Sequence, residues 1–246
     1  MHCFFVTPDQ VEEGGCRITG QDVIHIRNVL RMKPGDKIGI RDGISRNYIC
    51  ELEEIGEDQV YARIVSEEKE DSELSSRIWL FQGLPKGDKM DWIVQKAVEL
   101  GVYGIVPMAT RRSVVKLDRK KEEAKLRRWN AIAESAAKQS GRMIVPKVEP
   151  VVSFSYGCLQ MQKLDVGLIP YELTRGMEET RRTLARIRPG MEIGIMIGPE
   201  GGFDVEEVKE AVNAKICPIT LGRRILRTET AGMAALAVLM FLLEDS

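Results

Sequence analysis

The chain of 246 residues carries 36 Lys and Arg against 37 Asp and Glu, a net charge of −1, so bulk attraction to a polyanion is excluded. Any nucleic-acid contact must come from a local basic face. Hydrophobic residues at 43% allow a sizeable core and exclude disorder, and 30% charged residues suit a solvated surface.

Five scattered cysteines without a C-x-x-C, and only His2 and His25, speak against a disulfide framework, a zinc cluster or histidine triad chemistry. No metal is expected. No run reaches the ~18 apolar residues that a membrane span needs. The start, Met-His-Cys-Phe-Phe-Val-Thr-Pro-Asp, lacks the basic and apolar regions of a secretion signal. The expectation is a cytoplasmic protein that does not engage a membrane.

In chain order, residues 1–72 hold nine Lys/Arg and fifteen Asp/Glu, whereas the remainder holds 27 and 22, so acidic and basic parts are separated. Short alternating runs at 37–41, 47–52 and 59–65 predict strands, with turns at Asp42-Gly43 and Gly56. They read as a small antiparallel barrel over residues 1–70. The polar stretch 66–76, with Glu67-Glu68-Lys69-Glu70-Asp71, is the expected linker to a second domain at 74–246.

Beyond it, strand and helix signals alternate. Strands are predicted at 77–82, 103–108, 164–170, 191–198 and 216–221. Apolar spacing predicts helices at 91–100, ending at Gly101, and at 120–140, where Leu126, Trp129, Ala133 and Ala136 share a core face. Asp204 with Glu207 three residues on predicts a capped helix start, and 230–243 reads as an apolar helix. This alternation implies a mainly parallel α/β sheet.

Two loops stand out. Gly198-Pro-Glu-Gly-Gly-Phe203 joins an apolar strand to a capped helix and can present bare backbone groups to a ligand. It is not a dinucleotide fingerprint, and Gly83-Leu-Pro-Lys-Gly-Asp-Lys89 lacks the Lys-Ser/Thr ending of a P-loop. Leu221-Gly-Arg-Arg-Ile-Leu-Arg-Thr-Glu-Thr-Ala231 places three arginines before the last helix, more than a turn requires. Read without further context, the first loop is equally a strand–helix turn, and the second a solvated cap. The run 111–128 carries nine basic and three acidic residues, a solvated helix face or a phosphate-contacting one.

Taken in order, Ile-Gly-Pro-Glu-Gly-Gly-Phe203 and Leu-Gly-Arg-Arg-Ile-Leu-Arg-Thr-Glu-Thr-Ala231 resemble the bacterial ribosomal RNA uridine-N3 methyltransferase family of the SPOUT class. His25-Ile-Arg-Asn-Val-Leu-Arg-Met-Lys-Pro-Gly-Asp36, Asp88-Lys-Met-Asp-Trp, Thr110-Arg-Arg-Ser113 and Ala137-Lys-Gln-Ser-Gly-Arg142 fit the same pattern, which covers essentially the whole chain. A longer basic stretch after Lys116 departs from it and touches no site motif.

The resemblance implies a small PUA-like β-barrel followed by an α/β methyltransferase domain with a deep trefoil knot, forming a homodimer through the knotted domain. It implies S-adenosylmethionine as cofactor and 16S ribosomal RNA or the small ribosomal subunit as partner. The cofactor residues it implies are Ile169 and Pro170, then Gly198, Pro199, Glu200 and Gly201, then Leu221, Gly222, Ile225 and Leu226. Glycine at 198 and 201 is expected to leave ligand space free. Arg227 is the expected catalytic guanidinium, stabilising negative charge on the uracil oxygens, and Glu229 would accept the N3 proton or orient that arginine. RNA contacts are expected from Arg27, Arg31 and Lys33, from Arg111, Arg112, Lys120, Lys121 and Lys125, and from Arg142. A non-catalytic ribosome-assembly factor retaining the fold is the alternative, and a dinucleotide-dependent oxidoreductase a more distant one.

Overall fold

The computed structural model describes residues 1–44, 46–68, 72–115, 117–171 and 176–244. It divides into two compact units, 1–73 with 137–145, and 74–136 with 146–246.

The first unit is built on β1 (Cys3–Phe5), β2 (Val11–Glu12), β3 (Gly15–Thr19), β4 (Lys37–Arg41), β5 (Asn47–Ile55) and β6 (Gln59–Glu68). They form one sheet in the order β1-β4-β5-β6-β3-β2, antiparallel except where β1 lies parallel to β4. Alternation brings Ile18, Ile38, Leu52 and Val60 to one buried cluster. The Asp42 carboxylate accepts from the backbone N–H of Ile44 and Arg46, both at 2.9 Å, which makes the β4–β5 turn.

Between β3 and β4, α1 (Gln21–Ile24) passes into a π-helical turn, His25–Val29, closed by the Leu30 N–H on the His25 carbonyl at 2.9 Å. The predicted linker begins too early, since residues 66–68 are still strand, and part of it, 69–71, lies outside the described residues.

The second unit holds β7 (Arg77–Gly83), β8 (Gly104–Ala109), β9 (Lys147–Val148), β10 (Val152–Ser153), β11 (Val166–Pro170), β12 (Glu192–Ile197) and β13 (Cys217–Ile219). Every pairing is parallel, in the order β10-β8-β7-β12-β11-β13 with β9 on β8. The helices are α2 (Lys89–Glu99), α3 (Arg119–Ser140), α4 (Phe154–Met161), α5 (Met177–Leu184), α6 (Val205–Asn213) and α7 (Thr228–Leu243). The last residues of α3 count with the first unit.

Gly101, at φ +85°, follows the end of α2. Asp204 and Glu207 form the expected capping box on α6. Because the strands are parallel, the carboxyl ends of β7, β11, β12 and β13 share one edge, the edge at which open α/β sheets bind ligands. Among the described residues no helix is long and apolar enough to cross a membrane.

Candidate active site

A cavity of about 640 Å³ opens at this edge, within the size range of small-molecule pockets. Its walls are Pro170 at the end of β11 with Tyr171, Ile197 at the end of β12 with residues 198–203, and residues 220–228 leading into α7, with Lys89, Arg112 and Ala231. The two loops singled out in the sequence therefore meet across one pocket.

The first loop is held from all sides. Gly202, at φ +65°, donates to the Pro199 carbonyl at 2.8 Å, which closes a tight turn. The Thr228 hydroxyl donates to the Gly198 carbonyl at 2.6 Å and accepts from the buried Gln82 amide at 2.9 Å. Arg112 donates to the Gly201 carbonyl at 3.1 Å and pairs with Asp204 at 3.4 Å. Arg111 pairs with Asp204 at 3.3 Å, and its backbone N–H donates to Glu207 at 2.8 Å. The Glu206 N–H first, then Arg112 and Arg111, hold the Asp204 carboxyl below the usual aspartate range.

Glu200 accepts from the Lys86 N–H at 3.1 Å and pairs with Lys89 at 3.1 Å. Lys89 also reaches Glu229 at 3.2 Å, so one ammonium links the first loop to the start of α7. Glu200, against the cost of partial burial and with help from Glu229, holds the Lys89 ammonium above the usual lysine range.

The two glycines of the first loop also meet close protein neighbours. A Cβ at 198 would stand 3.0 Å from the backbone of Gly202, and one at 201 would stand 3.2 Å from Arg112 Cβ. Their nearest protein neighbours are the loop itself and the arginine that braces it. Gly83 has the same logic, since its Cβ would fall 2.7 Å from Pro199 Cδ.

The second loop is fastened at its start and again from Thr228 onward, where α7 begins. Thr220 accepts from the Gly222 N–H at 3.2 Å, and its own N–H donates to Thr180 at 2.9 Å. Beyond Gly222 the chain exposes Arg223, Arg224 and Arg227, and Ile225 is 87% exposed. Among the described residues these three guanidiniums have no hydrogen-bond or ion-pair partner.

Pro170, Gly198, Pro199, Glu200, Gly201, Leu221, Gly222, Ile225, Leu226 and Arg227 all line the pocket. Ile169 does not; it is fully buried in the core beneath, and its neighbour Pro170 takes the wall. The side chain of Glu229 pairs with Lys89, not with Arg227.

Of the residues expected at RNA, Arg111 and Arg112 brace the first loop. On α3, Lys120 and Lys121 are exposed, and Lys125 is half-buried with Nζ 5.9 Å from the Trp129 ring centre. Arg27, Arg31 and Lys33 are exposed on the first unit, Arg31 at φ +52°. Arg142 is corrected. It is only 4% exposed, and its guanidinium meets Glu73 in a bidentate pair at 2.8 and 2.6 Å within the first unit. A buried, paired guanidinium has no face left for a phosphate. Lys89, Gln82 and Thr228 were not singled out by the sequence reading, because each acts through a contact distant in the chain.

The sequence pattern of an RNA methyltransferase domain matches residues 72–240, and that of an RNA methyltransferase PUA domain matches residues 18–65. The chain belongs to this RNA methyltransferase family. The resemblance read from the two loops is thereby borne out, and the first unit carries a PUA-like domain. Ribosomal RNA small subunit methyltransferase E of Bacillus subtilis is 39% identical over 98% of this chain and 96% of its own.

Two solved structures are also close. Ribosomal RNA small subunit methyltransferase E from Neisseria gonorrhoeae, bound to S-adenosyl methionine, is 34% identical with a TM-score of 0.85 over 98% of both chains. A methyltransferase from Legionella pneumophila in complex with the same cofactor is 30% identical with a TM-score of 0.86, over 97% of this chain and 96% of that one.

Proposed function

We propose that the protein transfers a methyl group from S-adenosylmethionine to N3 of a uridine in 16S ribosomal RNA. The observation that carries this reading is the pocket between two backbone-rich loops, with three unpaired guanidiniums along one wall. The names of the similar proteins, and the cofactor bound in two of them, support it.

The pocket fits that cofactor. Its glycine loop offers backbone groups for an adenine edge, Gly198 to Gly201 and Leu221 to Gly222 curve round it, and Pro170, Ile225 and Leu226 supply apolar walls. The sulfonium supplies an activated methyl group, so orientation and electrostatics carry most of the rate. Arg227 offsets negative charge on the uracil oxygens as the N3 proton departs. Glu229, held by Lys89 at the start of α7, is the nearby carboxylate that takes up this proton.

On this reading residues 74–136 with 146–246, not the unbroken span 74–246, form a SPOUT domain with a deep trefoil knot, and the protein is a cytoplasmic homodimer through that domain. The exposed apolar face of α7, with Val238, Leu242 and Phe241 at 81% exposure, suits such an interface. The PUA-like domain, through Arg27, Arg31 and Lys33, and the α3 lysines would meet RNA phosphates.

The test is mass mapping of 16S ribosomal RNA from cells with and without the protein, alongside calorimetric titration with S-adenosylmethionine. One uridine N3 methyl group should vanish with the protein, and the purified chain should bind the cofactor. Cofactor binding without any change in the RNA would overturn the substrate, and absence of both would favour a non-catalytic assembly factor.

A further inference from the structure

The charges around the pocket do not balance locally, and the imbalance sits on one loop. Five cationic side chains line the cavity, Lys89, Arg112, Arg223, Arg224 and Arg227. Lys89 is engaged by Glu200 and Glu229, and Arg112 by Asp204 and the Gly201 carbonyl. Both are neutralised within the protein. Arg223, Arg224 and Arg227 are exposed, and among the described residues their guanidiniums meet no acceptor. Arginines elsewhere on the surface find carboxylates, as Arg63 does in Glu51 and Glu53 and Arg182 in Glu178 and Glu179.

Like charges so close along the chain repel one another. Directly after them α7 starts without a side-chain cap, so the positive end of its dipole adds to the same field. A loop built this way is stabilised by an anion that reaches it.

Neither small reactant supplies that much negative charge. S-adenosylmethionine is a net cation, its carboxylate outweighed by the sulfonium and the ammonium. The uracil gains charge only as N3 loses its proton, and Arg227 answers that. Two guanidiniums remain. The chemistry left for them is the RNA backbone, which places a phosphodiester on each side of every nucleotide. The planar guanidinium fork matches two phosphate oxygens. A nucleotide that enters the cavity base first leaves these two phosphates at its mouth, where Arg223 and Arg224 are both wall residues and exposed.

We propose that Arg223 and Arg224 clamp the phosphates flanking the target uridine and so seat it, while Arg227 alone serves the chemical step. The proposal rests on the methyltransferase reading. The two arginines hold the strand and do not touch the reacting atoms.

The test uses small ribosomal subunits from cells that lack the protein, methylated in single turnover by the native chain and by the double variant Arg223→Gln, Arg224→Gln. Both side chains are exposed and unpaired among the described residues, so the replacement leaves the fold intact. The half-saturating subunit concentration should rise about tenfold, and the rate at saturation should stay within about twofold. The slope of log affinity against log salt should flatten by about 1.4, two phosphates at ~0.7 each. Arg223→Lys with Arg224→Lys should keep the native slope and recover part of the affinity, since the charge stays and the fork is lost. In a 16S ribosomal RNA oligonucleotide, a neutral methylphosphonate on either side of the uridine should weaken native binding and add little in the glutamine variant.

An unchanged half-saturating concentration and salt slope in the glutamine variant would overturn the clamp and leave the methyltransferase reading standing. A fall in the saturated rate alone would move the two arginines into the chemical step. Loss of S-adenosylmethionine affinity in calorimetry, with RNA binding native, would assign them to the cofactor carboxylate instead. Should the native protein methylate no subunit and bind no cofactor, the reading fails and the clamp falls with it. The subunit assay decides the matter even where the oligonucleotide does not bind.

Discussion

Loop 198–203 receives bonds from a threonine of α7, from an arginine after β8, and from a lysine and a backbone N–H at and just before the start of α2. Loop 221–227 is tied only through its backbone, by Gly222 to the Thr220 hydroxyl and by the Arg227 carbonyl to the Ala231 N–H, and exposes three arginines whose guanidiniums have no partner among the described residues. One half of the pocket is pre-formed and the other is left charged and free. This division suits a site that must hold one ligand in a fixed pose while answering to another that is large and anionic. Rigid backbone lowers the ordering cost of binding, and unpaired guanidiniums gain most when a negative group arrives.

The largest effect that could break this contrast belongs to the free loop. Arg227→Ala should lower the single-turnover methylation rate by ~100-fold while leaving RNA affinity nearly unchanged, as for loss of one electrostatic donor. Arg227→Lys should recover only part, because an ammonium lacks the planar fork. Rapid-quench assays with saturating cofactor read this directly, and a native rate in Arg227→Ala would remove the arginine from the chemistry.

The braced loop should respond in affinity rather than rate. Thr228→Val leaves the Gly198 carbonyl and the Gln82 amide each short of one bond, at a cost of ~1–3 kcal/mol in stability. Cofactor affinity should fall by about tenfold with it. Denaturant melts and calorimetry measure the two, and a loss of stability with unchanged affinity would mean that the brace serves the core alone.

A smaller effect sharpens the role of the glycine. Gly201→Val should weaken cofactor binding about fivefold by displacing Arg112, whose Cβ lies 3.2 Å from where the new Cβ would stand. Arg112→Ala in the same protein should then add almost nothing, since that contact is already lost. Full additivity of the two in a calorimetric cycle would return the glycine to a direct role at the ligand.

Much of this was legible locally. Long apolar runs gave away β7, β8, β12 and α7, and the capping box of α6 needs only four consecutive residues. Both pocket loops could be seen because each is contiguous. What escaped was short or held at long range. The first three strands have two to five residues each, too few for alternation to stand out. Helix α5, Met-Glu-Glu-Thr-Arg-Arg-Thr-Leu, has little apolar stripe, and Arg182 pairs along its surface with Glu178 and Glu179. The Gln82–Thr228 bond spans 146 positions and the Arg112–Gly201 bond 89, so no local pattern could announce them. Arg142 read as one more surface cation because its acidic partner lies 69 positions upstream.

That last pair has a consequence for the order in which the protein can form. The first unit is finished by residues 137–145. Glu73 accepts the Arg142 guanidinium and the Met143 N–H at 2.8 Å, Arg41 donates to the Arg142 carbonyl at 3.1 Å, and the Ser72 hydroxyl donates to Gly141 at 2.7 Å. A ribosome makes this chain from the N-terminus at ~5–20 residues per second. The opening sheet therefore emerges several seconds before the segment that completes it, and until then Arg41 and Glu73 lack these bonds. Early folding here is provisional. The first domain to appear is sealed only after much of its neighbour has been synthesised, so a nascent chain paused before Val145 would present an unfinished domain to chaperones and proteases.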